Sequence, residues 1–268
     1  MSVNIRNVGK RTADLDLKNP QHRIIFEKLL VDVDVVVDGY RPGALARLGY
    51  GPQQLSALAE KRGKGVVYVN ENCFGYRGEW ASRPGWQQIA DCATGIAWAQ
   101  GLAMGMEEPM VPPFPMSDYG TGIMGAIAVM TGIWKRATVG GSWWGGSSLM
   151  AYDLFLFRLG LYPADVWYYN PHLCPTDFRE HIKSQHDQKF FELRHYDSVD
   201  RISATALASM RRLYPEVFST GKFMEKHYSE GFKGEVEVLS PVVKMGKTRN
   251  GFNAATRPNG FDEPKWIE

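Results

Sequence analysis

The sequence predicts an α/β protein with a parallel sheet. Two segments, 33–38 and 65–72, are rich in β-branched residues and almost continuously apolar. That pattern is typical of strands covered on both faces. Segments with helical periodicity alternate with them over the first 100 residues. Strand, helix and strand in this order predict a layered α/β fold.

The bulk composition excludes several classes of protein. The chain has 268 residues, 44% hydrophobic and 22% charged, with a net charge of +2. No block of Lys and Arg stands out, so no nucleic-acid partner is expected. No apolar run approaches the roughly 20 residues that span a membrane. Three widely spaced cysteines fit a reducing compartment better than a disulfide framework, and we expect a cytoplasmic protein.

In the first half of the chain, turn residues separate short periodic segments. The alternating segment 12–18 predicts a short strand, and Pro20 opens a helix to about residue 30. After the strand at 33–38, the sequence predicts a turn with a short helix at 39–49 and a longer helix at 52–61. The strand at 65–72 and a further helix at 83–95 follow.

The second half is less regular. A long connection over 102–116 leads into the helix that carries Asp118. The Gly- and Ser-rich segment 140–148 indicates a loop or a boundary, and 149–161 is apolar with an ambiguous period. The remaining predictions are helices over 204–214 and 220–228, a strand over 234–243 and an irregular C-terminal tail. The predicted domains are 1–150, 151–232 and 233–268.

Asp118 is the main candidate for chemistry. Prolines at 112, 113 and 115 delay the helix, and Ser117 is the expected N-cap, which places Asp118 in the first turn. A carboxylate there lies at the positive end of the helix dipole, which favours the ionised form that a nucleophile requires. Position alone fits a helix-capping role for Asp118 at least as well as catalysis.

The same helix has an apolar stripe and an unusual number of glycines. Apolar residues recur at spacings of three and four, at Ile123, Ile127, Met130 and Trp134. Glycine lowers helix propensity, so its repeated use predicts that another backbone or a ligand lies close. The glycines are Gly120, Gly122, Gly125 and Gly132.

Two short segments could bind phosphate. Gly39, Tyr40 and Arg41 follow the strand at 33–38, and ligands gather at the carboxyl ends of such strands. Tyr40 could stack on a base, while Arg41 or Arg47 could hold a phosphate; a turn without a ligand is the alternative. Lys10 and Arg11 could likewise meet a phosphate or form an ordinary surface pair.

Other common site motifs are missing from the sequence. It contains no GxxxxGK[ST], no GxGxxG between a strand and a helix, and no GxSxG. The six histidines show no metal-ligand spacing, so no metal is expected.

Four segments in order resemble the class III CoA-transferase family, which includes formyl-CoA–oxalate transferases, carnitine CoA-transferases and α-methylacyl-CoA racemases. They are NVGKRTADLDLK at 7–18, VDGYRPGALARLG at 37–49, FGYRGEWASRPGWQQIADCATG at 74–95 and PMSDYGTGIMGAI at 115–127. A weaker match follows at 234–245. The resemblance implies a parallel-sheet, Rossmann-like CoA-transferase III fold with a smaller, divergent second domain.

The resemblance also implies roles for residues. Asp118 matches the family's catalytic carboxylate, which attacks an acyl-CoA thioester and passes through an aspartyl-CoA thioester. Coenzyme A, as the acyl-CoA substrate, and a carboxylic acid acceptor are the implied ligands. The implied CoA-binding residues are Gly39, Tyr40, Ala44, Arg47, Leu48 and Trp86, with Lys10 and Arg11 as weaker candidates. A homodimer, interlocked in the family, is the implied assembly.

Three departures from the family pattern leave alternatives open. The sequence starts after the family's first strand and its CoA-contacting loop, so an N-terminally truncated member is expected. The family's later glycine loop has no clear counterpart, and 165–232 looks unlike the usual small domain. A non-catalytic CoA-fold fragment or scaffolding half of a longer protein is therefore one alternative. An acyl-CoA racemase is another, although Trp86 stands where racemases of the family have a proton-shuttling His.

Overall fold

The structure is a computed structural model that describes residues 7–160, 184, 187–219, 221, 223–243, 245–248 and 250–266. The chain forms two compact units, one of residues 33–209 and one of residues 1–32 with 210–268. These bounds differ from the predicted domains, which stay a prediction. Within the described ranges, no helix is both long enough and apolar enough to cross a bilayer.

The order of elements follows the predicted alternation in the first half of the chain. The helices are α1 (Pro20–Asp32), α2 (Ala44–Arg47), α3 (Pro52–Lys61), α4 (Gln87–Thr94), α5 (Ile96–Ala103), α6 (Met116–Val139), α7 (Leu149–Leu159), α8 (Gln188–Phe191) and α9 (Val199–Leu213), with a 3-10 helix at Pro215–Phe218. The strands are β1 (Val35–Asp38), β2 (Val67–Asn72), β3 (Trp143–Ser148), β4 (Met224–Ser229) and β5 (Gly234–Leu239).

A parallel sheet forms the centre of the unit of residues 33–209. Its order is β1-β2-β3, and both pairings are parallel. This confirms the predicted α/β class. The central strand β2 is covered on both faces as predicted, since Val67 and Val69 are buried on one face and Tyr68 on the other. The prediction that the 33–38 strand is covered on both faces is wrong: β1 lies at the sheet edge, and Val37 is 56% exposed.

The predicted loop at 140–148 is a strand for most of its length. Glycine and serine favour loops, but here β3 pairs with β2 from Trp143 to Ser148. A Cβ at Gly145 would lie 3.2 Å from the Ala128 Cβ, and one at Gly146 would overlap the Tyr76 ring. The strand therefore uses glycine where neighbouring groups approach its backbone closely.

Helix α6 packs on the sheet through its glycines. A Cβ at Gly132 would lie 2.5 Å from a Val67 methyl carbon. A Cβ at Gly125 would overlap the Glu71 carboxylate, and one at Gly120 would overlap the Tyr152 ring. The three neighbours are side chains, so the prediction that another backbone or a ligand lies close is wrong at these positions. Gly122 differs, because a Cβ there would meet nothing within 4 Å.

The apolar stripe of α6 faces away from this contact. All four of its predicted members are exposed: Ile123, Ile127, Met130 and Trp134. The helical period was correct, but small residues, not the large apolar ones, form the side that packs on the sheet. The helix also begins earlier than predicted, at Met116, so Ser117 is not the N-cap.

The unit of residues 1–32 and 210–268 corrects two predictions. Residues 12–18 form no strand; the Thr12 backbone instead exchanges hydrogen bonds with Asp262 in the C-terminal tail, each at 2.8 Å. The prediction of a helix at 220–228 is wrong, because Met224–Ser229 form strand β4, which pairs antiparallel with β5. Exposed and buried residues alternate in β5, and pairing with β5 favours a strand over a helix for Met224–Ser229.

The packing of α6 predicts unequal effects of two alanine substitutions. Gly132→Ala should lower the free energy of unfolding by about 1–3 kcal/mol, since the new methyl group overlaps Val67. Denaturant unfolding measures this change.

Gly122→Ala is the matched control on the same helix. It adds the same methyl group where nothing lies within 4 Å, so it should raise the free energy of unfolding by up to about 1 kcal/mol. Equal effects of the two substitutions would contradict the described packing of α6.

Candidate active site

A pocket of about 380 Å³ lies at the carboxyl ends of the three parallel strands. The loop after β1 contributes Gly39–Pro42 to its wall. The end of β2 contributes Glu71–Cys73, and Leu149 directly follows β3. Ligands of open α/β sheets bind at this edge, because the loops that follow the strands converge there. The sheet topology thus places the pocket where a substrate site is expected.

Asp118 lines this pocket from the first turn of α6. The helix starts at Met116 after a proline at position 115, so Asp118 is its third residue. The side chain is exposed, and it shares the pocket with Tyr40 and Trp86. Unpaired backbone N–H groups give the start of a helix a partial positive charge. The carboxylate therefore combines access to the pocket with a favourable electrostatic position.

The structure brings together some of the predicted site residues and leaves others apart. Gly39, Tyr40 and Trp86 line the pocket with Asp118, and Arg41 does as well. Helix α2 starts close behind this loop, but its residues Ala44 and Arg47, and Leu48 after it, are not among the pocket-lining residues. The Arg47 guanidinium instead donates to the Pro42 carbonyl at 3.3 Å.

Lys10 and Arg11 belong to the other unit of the chain. Both are exposed, and Arg11 forms an ion pair with Asp262 at 3.4 Å. Their predicted contact with a phosphate stays a prediction.

Buried polar side chains hold the start of α6 against α4. The Ser117 hydroxyl donates to Asp91 at 2.9 Å, and the Gln87 amide donates to the other oxygen of the same carboxylate. Thr94 donates to Asp153 on α7 at 3.1 Å. Since Ser117 is adjacent to Asp118, this network fixes the backbone that carries the candidate nucleophile.

The two buried carboxyl groups of this network share one environment. Burial, together with the neighbouring Asp91 charge, raises the pKa of Asp153 to about 7. Burial also raises the pKa of Asp91, while hydrogen bonds from Ser117 and Gln87 lower it. The pKa of both carboxyl groups is raised, and Asp153 is the more readily protonated member of the pair.

Two more ionisable groups line the pocket itself. Burial raises the pKa of Glu71, and the charge of Asp118 adds to the increase. Burial, together with the charges of Asp153, Asp118 and Asp91, raises the pKa of the Cys73 thiol to about 11. The thiol is therefore protonated at neutral pH and a poor nucleophile. Asp118 remains the best nucleophile among the lining residues.

Sequence reasoning missed Glu71, Thr121 and Arg83 as residues of the pocket. Two of these could have been found. Glu71 lies at the end of a predicted parallel strand, where ligands bind. Thr121 follows Asp118 by three residues, which places both on one side of the helix. Arg83 was placed in the helix predicted over 83–95, but α4 starts at Gln87 and Arg83 lies in the loop before it.

The described residues contain no group of His, Cys, Asp or Glu side chains that could hold a metal ion. The pocket instead combines two carboxyl groups, Glu71 and Asp118, with two guanidinium groups, Arg41 and Arg83. This donor set suits an anionic organic substrate, because guanidinium groups bind phosphate and a carboxylate can act as a nucleophile.

A sequence model described as CoA-transferase family III matches residues 1–142. The chain belongs to this family. The match covers β1, β2 and the whole of α6, and therefore includes Asp118 and the loops that line the pocket.

Curated relatives of this CoA-transferase family III chain include fungal and bacterial transferases. An acetyl-coenzyme A transferase from Hypoxylon pulicicidum is 35% identical over 263 residues, covering 97% of this chain and 42% of the relative. An acyl-CoA transferase from Gibberella moniliformis is 47% identical over 148 residues, covering 54% and 26%. The beta subunit of a succinyl-CoA–L-malate CoA-transferase from Chloroflexus aurantiacus is 30% identical, covering 49% and 31%.

The chain spans less than half the length of these curated relatives. Solved structures support the fold. A protein from Mycobacterium tuberculosis has a TM-score of 0.64 at 17% identity, covering 96% of this chain and 81% of that one. A CAIB/BAIF family protein from Brucella suis has a TM-score of 0.63 at 17% identity, covering 95% and 80%. The predicted family and its parallel-sheet α/β fold are confirmed.

The buried Asp153 predicts a pH-dependent difference in stability for this family III chain. Its folded-state pKa of about 7 exceeds the ordinary value of 3.8. The stabilising contribution of its proton is therefore complete below about pH 4 and is lost as the pH rises to about 7. The asparagine variant has no proton to lose at this position, so it keeps the stability that the wild type loses as the pH rises. The free energy of unfolding of Asp153→Asn minus that of the wild type should therefore increase across this range. Denaturant unfolding at several pH values measures the difference.

Asp200→Asn is the control, since it removes an exposed carboxylate from α9. Its stability difference from the wild type should change much less over the same range, because water screens the charge of an exposed side chain. A constant difference for Asp153→Asn would show that the buried carboxyl ionises as readily as an exposed one.

Proposed function

We propose that this chain transfers CoA from an acyl-CoA donor to a carboxylic acid acceptor through an aspartyl-CoA thioester at Asp118. The observation that carries the proposal is the exposed Asp118 carboxylate at the start of α6, inside the pocket at the carboxyl ends of the parallel strands. Membership of CoA-transferase family III and the printed activities of the relatives agree with it.

The first half of the reaction uses the donor. A carboxylate oxygen of Asp118 forms a bond to the thioester carbonyl carbon, and the C–S bond breaks, so that CoA leaves as a thiolate. The product is a mixed anhydride between the donor acyl group and Asp118. The thiolate then attacks the Asp118 carbonyl carbon, which releases the donor carboxylate and forms the aspartyl-CoA thioester.

The second half repeats these steps with the acceptor. The acceptor carboxylate attacks the aspartyl thioester and expels the thiolate, which gives a second mixed anhydride. The thiolate attacks the acceptor carbonyl carbon, forms the new acyl-CoA and frees the Asp118 carboxylate. Every step exchanges one oxygen or sulfur nucleophile for another, so no net proton or electron transfer is needed.

The pocket offers groups suited to CoA. Tyr40 and Trp86 are exposed aromatic side chains on its wall, and Trp86 is 74% exposed. Aromatic faces bind the apolar and heteroaromatic parts of a ligand, and the Arg41 and Arg83 guanidinium groups suit phosphate. We assign these four residues and Gly39 to the CoA site. The contributions of Ala44, Arg47, Leu48, Lys10 and Arg11 remain proposals from the family resemblance.

The other features implied by the resemblance are proposals too. They are an acyl-CoA and a small carboxylate as substrates, a homodimer as the assembly and the cytoplasm as the location. The printed names of the relatives mention acetyl-coenzyme A, acyl-CoA, succinyl-CoA and L-malate. A CoA thioester is common to these names, and L-malate, a carboxylate, appears in the third.

Covalent trapping tests the role of Asp118. The protein is incubated with a panel of acyl-CoA thioesters and treated with hydroxylamine, which attacks both the anhydride and the aspartyl thioester. A hydroxamate at Asp118, found by peptide mass spectrometry, is the expected result. Asp118→Asn should abolish the adduct, because an amide is not a nucleophile of comparable strength.

Tyr119→Phe is the matched control. Tyr119 is the next residue of α6, is exposed and is not among the residues that line the pocket. This variant should form the adduct at the wild-type rate. If the wild type forms no adduct with any thioester but still binds CoA, the non-catalytic alternative replaces the proposed transferase.

Binding calorimetry with free CoA tests the aromatic wall. Trp86→Ala should weaken CoA binding about tenfold through loss of aromatic contact. Trp98→Ala is the control, since Trp98 is 49% exposed but lies on α5 outside the pocket lining. Equal affinities of the two variants would remove Trp86 from the CoA site.

A further inference from the structure

Thr121 has a buried hydroxyl group without a hydrogen-bond partner. The residue is 4% exposed, lines the pocket and follows Asp118 by three positions on α6. Within the part of the chain that the structure describes, its Oγ1 atom makes no hydrogen bond. Leaving a buried hydroxyl unpaired costs free energy, and most such groups in folded proteins are paired. An unpaired donor next to a nucleophile is what a substrate oxygen would require.

Glu71 approaches the same helix from the sheet. Its carboxylate lies where a Cβ at Gly125 would be, so α6 accepts the side chain only because that position is glycine. Asp118, Thr121 and Gly125 are spaced by three and four residues, and they therefore lie along one side of α6. Glu71 lines the pocket with Asp118 and Thr121.

Ser147 supports the Glu71 carboxyl group from the neighbouring strand. The two residues are register partners in the pairing of β2 with β3, and the Ser147 hydroxyl donates to Glu71 Oε1 at 3.4 Å. Burial and the charge of Asp118 both raise the pKa of Glu71. Ionised Asp118 therefore favours the protonated form of its neighbour, and a protonated carboxyl group can donate a hydrogen bond.

We propose that the Thr121 hydroxyl group and the Glu71 carboxyl group, each as a hydrogen-bond donor, bind the acyl carbonyl oxygen of the thioester and stabilise the oxyanion that forms on it. This inference rests on the proposed function. As Asp118 forms its bond to the carbonyl carbon, the π electron pair of the C=O bond moves to oxygen. When the C–S bond breaks, the pair returns and the thiolate leaves with the sulfur electrons. Glu71 and Thr121 keep their protons throughout.

The donors accelerate this step because the oxyanion accepts stronger hydrogen bonds than the neutral thioester carbonyl does. Groups that are already in place when the charge develops need little reorganisation. The packing of Glu71 against Gly125 and Ser147 provides that fixed placement.

Thr121→Val tests the hydroxyl group, because valine has nearly the same shape and cannot donate. The rate constant of hydroxylamine-trapped adduct formation should fall about 10²–10³-fold, the usual effect of removing one oxyanion donor. Thr121→Ser should recover most of this loss. Gly122→Ala, on the exposed side of α6, is the matched control and should keep the wild-type rate. A wild-type rate for Thr121→Val would overturn the assignment of Thr121.

Glu71→Gln tests the protonation state of the second donor. The wild-type rate of adduct formation should decline as the pH rises through the raised pKa of Glu71, since only the protonated form donates. Glutamine donates at every pH, so this variant should keep most of the rate and lose that decline. Glu71→Leu should be slow throughout. If Glu71→Gln is as slow as Glu71→Leu at all pH values, the carboxylate acts as an anion or a base and the inference fails.

A ketone analogue of acetyl-CoA, in which a methylene group replaces the sulfur, separates this inference from the proposed function. It retains the carbonyl oxygen but has no leaving group, so calorimetry measures binding without chemistry. We expect Thr121→Val and Glu71→Leu to bind it several-fold more weakly than the wild type. This result would support the two donors even if no adduct forms at Asp118, which would disprove the transferase alone.

The opposite result is also decisive. If the wild type forms the adduct and Asp118→Asn does not, but Thr121→Val and Glu71→Leu bind the ketone analogue as the wild type does, the proposed function stands and the donor pair is wrong. Absence of binding by the wild type would overturn both proposals. Thermal unfolding of each variant checks that the fold is intact.

Discussion

The close approach of α6 to the parallel sheet is the constraint on which the site depends. Glycines at positions 120, 125 and 132 bring the helix backbone to the Tyr152 ring, the Glu71 carboxyl group and the Val67 side chain. The first turn of the helix then lies at the carboxyl ends of the strands, where the loops also end. A bulkier helix side would separate Asp118 from the residues that complete its pocket.

The second constraint is electrostatic. Four carboxyl groups lie in and below the pocket, at Glu71, Asp91, Asp118 and Asp153, and several influence one another's pKa. They cannot all be ionised without considerable repulsion. Burial separates their roles: Asp153 and Glu71 hold protons more readily than usual, while Asp118 is exposed at a helix start. The fold therefore combines one exposed carboxyl group at a helix start with buried or half-buried carboxyl groups whose pKa is raised.

The sequence predicted the features that depend on local pattern. β-branched runs indicated β1 and β2, Pro52 and its periodic helix were placed correctly, and the loop with Tyr40 was assigned to the carboxyl end of a strand. Asp118 was found because a helix start has a recognisable chemistry. The family resemblance added its expected role.

Features that depend on tertiary contacts were not predictable in this way. Strand β3 looked like a loop because Gly145 and Gly146 suit close packing as well as turns. Thr121 and Glu71 are 50 residues apart and meet only through the packing of α6 on β2. The buried pair of Asp91 and Asp153 also joins separate helices, and no local pattern distinguishes it from surface acids.

The orientation of α6 has a further consequence for behaviour in solution. Because its small residues pack on the sheet, its large apolar side chains contact water in one continuous row: Met116, Tyr119, Ile123, Ile127, Met130 and Trp134. Salts such as ammonium sulfate strengthen the association of apolar surface. The isolated chain should therefore adsorb strongly to hydrophobic chromatography resins and salt out at low sulfate concentration, although its overall composition is that of an ordinary water-soluble protein.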